Sequence, residues 1–276
     1  MGYRIVADSS CDIWKLGNAD FKTAALTIST DERTFKDDET MNVSEMVDYL
    51  SSYKGRSYTA CPGIEEWLNA FGDSEEIYVT TLTSGLSGTY NSAMNAREIY
   101  LEEHQKAKIF VIDSLSTSSE LLLITEKIYE LKESGADFDK VCRLVTEYAK
   151  RTRLFYAFKS LHNFSQNGRV PKLLAKAIEL AGLSIIGTAS EEGKVKPVSK
   201  ARGEQKVLKT LFEQMKEAGY SGGKVNITHV LNEKLANALK ELILASFPNA
   251  QVEIYPSRGL VAYYAERGGI ITGFEC

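Results

Sequence analysis

Short apolar runs typical of buried β-strands alternate with helical segments in the first half of the chain. The strand-like runs are 3–7, 76–80 and 108–112. The helical segment 88–103 follows the second of these runs, and 119–133 follows the third. Strands that alternate with helices pair in parallel, and the helices then cover both faces of the sheet. Residues 1–152 are therefore predicted to form an α/β/α domain with a parallel sheet.

The pattern changes after about residue 153. The runs 183–188 and 194–198 flank a short polar turn and predict a hairpin. Helices are predicted over 171–181, 202–217, 233–246 and 257–266, and further strands over 154–158, 224–229, 251–255 and 269–274. Residues 153–276 are therefore predicted to form a second α/β domain with a mixed sheet. The segment 30–43 is predicted to be an exposed excursion, and 163–169 a polar turn.

Charge and composition exclude several classes of function. The 276 residues carry a formal net charge of −4, so we expect no general attraction to nucleic acid or to an anionic membrane. No apolar run approaches the roughly 20 residues of a membrane span, and the strand-like start of the chain predicts no signal peptide. The cysteines are Cys11, Cys61, Cys142 and Cys276. Because they are far apart and form no CxxC pair, they predict a reducing cytoplasm, with neither a disulfide framework nor a zinc site.

A loop rich in Ser, Thr and Gly, residues 80–90, joins a strand to the helix 88–103. Ser87 is predicted to cap that helix, whose first N–H groups lack partners within the helix. Gly85 and Gly88 would let the backbone approach a ligand closely. Such a helix start favours an anion such as a phosphate or a carboxylate. An ordinary capped helix after a strand explains the same residues equally well, because every helix start carries this dipole.

Common catalytic motifs are absent from the sequence, which contains no GxGxxG, GxxxxGK[ST] or GxSxG pattern. The histidines are His104, His162 and His229. None of them lies near Ser87 in sequence, and a hydrolase that used Ser87 would need a base within hydrogen-bond reach of it. Asp8, Asp12 and Asp113 stand at strand ends and could bind a metal, but the capping of turns is the favoured interpretation.

Several segments, in order along nearly the whole chain, resemble those of DegV-family proteins. They are Asp8-Ser9-Ser10, Thr59 before Pro62, the Ser-Gly-Leu-Ser-Gly-Thr-Tyr stretch 84–90, Val111–Ser114, the stretch 161–170 around Asn167-Gly168-Arg169, Lys196-Pro197-Val198 and Lys200–Gly203. The seven-residue stretch 84–90 and the Asn-Gly-Arg turn are fairly specific, and the shared order of all the segments strengthens the assignment. The chain is therefore similar to DegV proteins over essentially its full length.

This resemblance implies a two-domain protein that holds one long-chain fatty acid in a tunnel between domains 1–152 and 153–276. Such proteins present the acyl group to a separate fatty acid kinase subunit and perform no chemistry themselves. By motif, the Thr59 and Ser87 hydroxyls and the Gly88 N–H would bind the carboxylate. The remaining implied positions are Ser9, Asn163 and Arg169 near the ligand, and Arg202 for docking of the kinase. The ligand is then the fatty acid itself, with no cofactor, no metal and no stable membrane anchoring.

The chain departs from the usual DegV pattern near the proposed head group. An ungapped alignment puts Tyr264 where the family usually has His, and Glu266-Arg267-Gly268 where it has Gly-Pro-Gly. Ala60-Cys61 replaces the usual Ser-Gln before Pro62. Tyr donates one hydrogen bond but stays neutral at pH 7, whereas His can carry charge. Two alternatives therefore stay open beside the fatty acid carrier: a Ser87-dependent acyl hydrolase or transferase, and a carrier of another amphipathic carboxylate.

Overall fold

The computed structural model describes residues 2–276, except for the side chain of Glu179. The strands are β1 (Arg4–Asp8), β2 (Asp20–Ala24), β3 (Thr27–Thr30), β4 (Thr34–Lys36), β5 (Ser57–Ala60), β6 (Glu76–Thr81), β7 (Lys108–Asp113), β8 (Thr152–Phe158), β9 (Ser184–Ala189), β10 (Val195–Ala201), β11 (Lys224–His229), β12 (Gln251–Pro256) and β13 (Ile270–Glu275). The α-helices are α1 (Val43–Ser52), α2 (Ile64–Phe71), α3 (Thr89–Glu103), α4 (Ser118–Glu133), α5 (Phe138–Ala149), α6 (His162–Gln166), α7 (Lys172–Ala181), α8 (Glu204–Glu217), α9 (Glu233–Ser246) and α10 (Gly259–Ala265).

Strands β2, β1, β6 and β7 lie side by side in that order, and each pairs with its neighbour in parallel. Successive residues of a strand point to opposite faces of the sheet. On one face, Val6 and Val79 pack with Trp67 of α2 and with α3. On the other face, Ile5 and Tyr78 pack with α4 and α5. The predicted parallel sheet with helices on both faces is confirmed.

The second sheet has the strand order β10-β9-β8-β13-β11-β12. Only β11 and β12 pair in parallel within it, and the other pairs are antiparallel, so the predicted mixed sheet is confirmed. Phe155 and Ala157 of β8 face the core formed with α8 and α9. Leu154, Tyr156 and Phe158 point to the opposite face, where α6, α7 and α10 pack. This second face also meets the first half of the chain.

Helix α4 lies between the two sheets. Leu121, Leu122, Leu123 and Ile124 are all fully buried, as expected for a helix that packs on every side. It contacts β1 and β6 of the parallel sheet and β8, β11 and β13 of the mixed sheet. A Cβ at Gly273 of β13 would lie 2.4 Å from the amide nitrogen at the start of α4, so this crossing requires glycine. The spacing of the sequence predicts the helix, but it does not predict that both sheets share it.

Two segments differ from their predictions. Part of 30–43 is not exposed, because β4 pairs with β3, which also pairs with β5 to form a small antiparallel sheet, and Asp37 is fully buried. The polar turn predicted over 163–169 begins as the short helix α6, since polar residues also form single helical turns. The change of sheet falls between α5 and β8, and the domain boundary at 152 stays a prediction.

Candidate functional site

A largely apolar cavity lies between the mixed sheet and the loops that follow β6 and β7. Its volume is about 90 Å³, counted as the space open to the centre of a water molecule. Leu154, Tyr156 and Phe158 of β8 line one wall, and at about 3.3 Å per residue they extend over about 13 Å. The opposite wall includes Leu26, Leu82, Leu86, Ser116 and Thr117. Residues on both sides of position 152 therefore enclose the cavity.

A row of four aromatic rings follows the length of this wall. The ring of Tyr264 lies 4.7 Å from that of Phe164, centroid to centroid. Phe164 lies 6.0 Å from Phe158, which stacks on Tyr156 at 4.4 Å. All four residues line the cavity. The row gives the cavity one continuous aromatic side that starts at the hydroxyl of Tyr264.

Polar side chains gather at the Tyr264 end of the cavity. The hydroxyl oxygens of Thr59 and Tyr264 are 2.8 Å apart and share a hydrogen bond. Ser87 and Arg169 also line the cavity, and the Arg169 guanidinium donates to the carbonyl of Leu86 at 3.2 Å. Thr59, Ser87, Arg169 and Tyr264, which the sequence predicted as site residues, therefore meet at one cavity. Three hydroxyls and one cation suit an anionic group with an apolar tail.

The hydroxyl of Tyr264 is a neutral donor. Burial raises its pKa, and the hydrogen bond with Thr59 and the charge of Arg169 offset only part of that effect. At neutral pH the proton therefore stays on the oxygen, available for a hydrogen bond to an anion. Thr59 reaches this oxygen because it lies on β5, the edge strand of the small antiparallel sheet that the sequence did not predict.

The helix after the Ser/Gly loop begins one residue later than predicted. Its N-cap is Gly88, so the assignment of Ser87 as N-cap is wrong. The Ser87 hydroxyl still accepts from the Thr89 amide at 3.3 Å and lies 2.8 Å from the Thr89 hydroxyl. Its side chain caps the first turn from outside the helix. The Gly88 amide has no acceptor among the described residues, and it stays available to an anion.

Gly85 serves the contact between the two halves of the chain. A Cβ there would lie 2.1 Å from the carbonyl oxygen of Glu192, in the turn between β9 and β10. The same turn places Gly193 against Thr83, whose hydroxyl donates to the Gly193 carbonyl at 3.1 Å. The sequence predicted that Gly85 would let the backbone approach a ligand, and in the structure it approaches the turn between β9 and β10 instead. A Cβ at Gly88 would meet only Cys61 Sγ, at 3.6 Å.

The three acids predicted at strand ends cap the backbone; Asp8 and Asp113 end β1 and β7, and Asp12 follows the short turn after β1. The Asp8 carboxylate accepts from the amides of Ser10 and Leu82, and that of Asp113 accepts from Ser84 and Leu115. Asp12 accepts from the Arg258 amide at 2.7 Å and from the Ser118 hydroxyl at 2.6 Å. Burial raises the pKa of Asp8 to about 6 and that of Asp12 to about 8. Within residues 2–276, no group of three His, Cys, Asp or Glu side chains is arranged to hold a metal ion.

A buried ion pair that the sequence did not reveal fixes the start of α10. The Asp37 carboxylate accepts from the amides of Gly259 and Leu260 at 2.8 and 2.9 Å. The Arg258 guanidinium lies 3.6 Å from the same carboxylate and 3.4 Å from the ring centroid of Trp14. Because α10 carries Tyr264, this pair helps to position the polar end of the cavity. Its only signal in the sequence is an acid within a segment predicted to be exposed.

Four of the predicted site residues lie outside the cavity lining: Gly88, which directly follows the lining residue Ser87, and Ser9, Asn163 and Arg202. The Ser9 hydroxyl accepts from the amide of Leu26, a wall residue, at 3.1 Å. The Asn163 side chain donates to the carbonyl of Tyr263 at 2.6 Å, next to Tyr264. Arg202 is exposed and donates to the Ala181 carbonyl. Ser9 and Asn163 thus support the wall, and Arg202 lies on the surface.

No histidine or carboxylate lines the cavity in the described part of the chain, where the ionisable lining residues are Tyr156, Arg169, Lys194 and Tyr264. The ring of His104 stacks on Tyr100, that of His162 contacts Gln166, and that of His229 accepts from Asn232. The Ser87 hydroxyl contacts Thr89. The arrangement therefore supplies donors for an anion, and the described contacts of the Ser87 hydroxyl include no His or carboxylate base. Over residues 2–276, every helix is too short or too polar to cross a membrane.

Comparison with known proteins points to one family. The sequence profile of the DegV family, described as uncharacterised proteins, matches residues 3–271. A DegV domain-containing protein of Streptococcus gordonii is 36% identical over 279 residues, which cover 100% of this chain and 99% of that protein.

Solved structures agree with this match. A DegV family protein from Eubacterium eligens, loaded with heptadecanoic acid, is 49% identical and superposes with a TM-score of 0.97 over 99% of both chains. The Fatty Acid Kinase (Fak) B3 protein of Streptococcus pneumoniae, loaded with linoleic acid, is 36% identical with a TM-score of 0.96, over 100% of this chain and 99% of that one.

Proposed function

This chain belongs to the DegV family, and we propose that it binds one long-chain fatty acid and presents the carboxylate to a separate fatty acid kinase subunit. The observation that carries the proposal is one apolar cavity with three hydroxyls and an arginine at one end. The two similar structures described above hold heptadecanoic and linoleic acid. Burial of the hydrocarbon tail supplies the binding free energy, at about 25 cal/mol per Å² of apolar surface.

The carboxylate lies at the Tyr264 end of the cavity. It accepts hydrogen bonds from the hydroxyls of Thr59, Ser87 and Tyr264 and from the Gly88 amide. Arg169 adds a positive charge close by, which offsets part of the cost of moving a carboxylate out of water. The tail follows the aromatic row toward Leu154. This placement uses the five predicted residues that line or adjoin the cavity and assigns Ser9 and Asn163 to supporting roles.

The protein acts as a carrier in the cytoplasm, without a cofactor of its own. Arg202 is exposed and lies outside the cavity, as expected for a residue that contacts a partner rather than the ligand. Among residues 2–276, the Ser87 hydroxyl contacts Thr89, and no histidine or carboxylate lines the cavity to take its proton, which supports a carrier over a hydrolase. The phosphoryl transfer then takes place on the kinase subunit.

Native mass spectrometry of the purified protein tests the proposal. We expect a mass increase that matches one fatty acid, and identification of the extracted lipid by mass spectrometry after denaturation. Protein that stays free of ligand and takes up neither palmitate nor oleate at micromolar concentration would refute it. An isoprenoid or branched acid in the extract would favour the other amphipathic carboxylates. Hydrolysis of p-nitrophenyl esters, abolished by Ser87→Ala, would favour the acyl hydrolase.

A further inference from the structure

The polar end of the cavity reaches the surface of the protein at the start of helix α3. Gly88, the N-cap of that helix, is exposed, and Thr59 and Ser87 are partly exposed. The Gly88 amide has no acceptor among the described residues, and it is one of the donors assigned above to the carboxylate. A carboxylate bound by this amide therefore lies beside an exposed glycine, close to solvent.

The start of helix α2 lies next to this glycine. A Cβ at Gly88 would lie 3.6 Å from Cys61 Sγ, and the Ser92 hydroxyl of α3 donates to the carbonyl of Pro62 at 2.6 Å. Cys61 is exposed, and Ile64, the first residue of α2, is 37% exposed. We call the surface formed by Cys61, Ile64 and Gly88 the α2–α3 corner.

Phosphorylation of a bound fatty acid requires a kinase to reach this corner. Transfer brings the phosphorus of the donor to about 3–3.5 Å from the attacking oxygen, so the kinase residues that hold the donor come close to Gly88. An interface of standard size covers about 800 Å² of each partner, equivalent to a disc of about 16 Å radius. Three residues of chain span at most about 11 Å, so Ile64 lies within that distance of Cys61.

Arg202, the docking residue implied by the DegV resemblance, lies at the same end of the mixed sheet. It follows β10, whose Lys200 pairs with Ile185, and Ile185 pairs with Phe158 of β8. Neighbouring strands are about 4.8 Å apart, so the backbones of Lys200 and Phe158 are about 10 Å apart. Phe158 contacts Phe164 at the polar end of the aromatic row. One partner with an interface of standard size can therefore contact Arg202 and the α2–α3 corner together.

We propose that the α2–α3 corner is a contact surface for the kinase subunit, with Ile64 as its apolar anchor. This inference rests on the proposed function, which supplies the kinase subunit as the partner. Ile64 does not line the cavity, so its side chain contacts the partner and not the fatty acid. The corner contributes an apolar contact to the interface, whereas Arg202 contributes a cationic one.

Steady-state phosphorylation of palmitate-loaded protein by the kinase subunit, with ATP, tests this inference. Ile64→Asn introduces a neutral amide at the first position of α2, so it leaves the charge around the carboxylate unchanged. We expect the KM of the kinase for the loaded protein to rise about tenfold, because the interface loses an apolar anchor and buries an unpaired amide. The kcat and the Kd of palmitate should stay as in the wild type.

Ile99→Asn is the matched control. Ile99 is 39% exposed on α3, about 16 Å along the helix from Gly88 at 1.5 Å per residue, so this variant should not change the KM. Circular dichroism and the melting temperature verify that both variants fold.

Protection of Cys61 gives a second measurement, which needs no substitution. Cys61 and Cys276 are both exposed, and mass spectrometry follows the labelling of each by N-ethylmaleimide. Cys276 follows Glu275, which pairs with Thr152 at the opposite end of β8, so it lies away from the corner. Excess kinase subunit should slow the labelling of Cys61 in the palmitate-loaded protein and leave that of Cys276 unchanged.

Two results would overturn the inference and leave the proposed function intact. They are an unchanged KM in Ile64→Asn, and labelling of Cys61 that is equally fast with and without the kinase subunit. Wild-type protein whose bound palmitate is not phosphorylated would instead refute the proposed function, and the inference with it.

Discussion

Replacement of Tyr264 by Phe removes one oxygen atom from the polar end of the cavity and keeps the ring that packs on Phe164. In the ligand-free protein, the Tyr264 hydroxyl is 2.8 Å from that of Thr59, so the two neutral groups satisfy each other. In the proposed complex both hydroxyls turn to the carboxylate. The substitution therefore removes a neutral hydrogen bond from the free protein and a charged one from the complex.

The size of the effect follows from the difference between these two bonds. A hydrogen bond to a charged group contributes about 1.5–3 kcal/mol, and one between neutral groups about 1 kcal/mol. Tyr264→Phe should therefore weaken the binding of a fatty acid by about 0.5–2 kcal/mol, or about 2- to 30-fold in Kd. The effect should persist across neutral pH, because burial keeps the pKa of Tyr264 above its ordinary value.

Isothermal titration of delipidated protein with palmitate and with hexadecanol measures this effect. The alcohol has the same tail but no charge, so its affinity should fall less than that of palmitate. Equal losses for both ligands would indicate that the substitution disturbed the wall of the cavity. Unchanged palmitate affinity would refute the placement of the carboxylate beside Tyr264.

Three further substitutions test separate parts of the molecule. Ser87→Ala should weaken palmitate binding by about 0.5–2 kcal/mol in the same titration, because the bond to the carboxylate replaces the neutral one between Ser87 and Thr89. Arg202→Glu should leave palmitate affinity unchanged but slow phosphorylation of the bound acid in an assay reconstituted with the kinase subunit. Asp12→Asn should reduce the pH dependence of stability, measured by urea unfolding between pH 4 and 8. The pKa of Asp12 is raised to about 8 by burial, so its stabilising effect is full below about pH 4 and is lost as the pH rises through 8. For each pH unit, the free energy of unfolding should therefore fall by about 1.4 kcal/mol less in Asp12→Asn than in the wild type.

Each of these substitutions has a control and a contradicting result. Full palmitate affinity in Ser87→Ala would show that this hydroxyl does not contact the ligand. Lys22→Glu is the control for Arg202→Glu, because it reverses an exposed charge on the distant strand β2. If it slowed phosphorylation as much as Arg202→Glu does, that result would argue against a specific docking role. Asp20→Asn is the control for Asp12→Asn, because it alters a partly exposed carboxylate. Parallel curves of stability against pH for the wild type and Asp12→Asn would show that Asp12 does not take up the proton.

Local periodicity predicted most of the elements, because a helix or strand that buries one face shows it in its own residues. Strand β11 and helix α9 begin and end as predicted. The errors lie where tertiary contacts decide. The strand β4 is three residues long and is held by pairing with β3, which its own composition does not indicate.

The site was predictable in its residues but not in its contacts. The resemblance to DegV proteins identified Thr59 and Tyr264 separately, and only the structure places their oxygens together across 205 positions of sequence. The pairing of Asp37 with Arg258 was not predictable for the same reason, since Asp37 lies in a segment predicted to be exposed and Arg258 at the start of a distant predicted helix.

The position of helix α4 has a consequence for the division of the chain at residue 152. Its apolar residues are enclosed by strands from both halves, with Gly273 pressed against its first turn. A fragment that ended at Ala149 would retain the helix but leave the side that meets β11 and β13 bare to solvent. A fragment cut there should expose apolar surface and pack poorly, and the mixed sheet would lose a helix that covers it. We therefore expect the two halves to fold together rather than as separate domains.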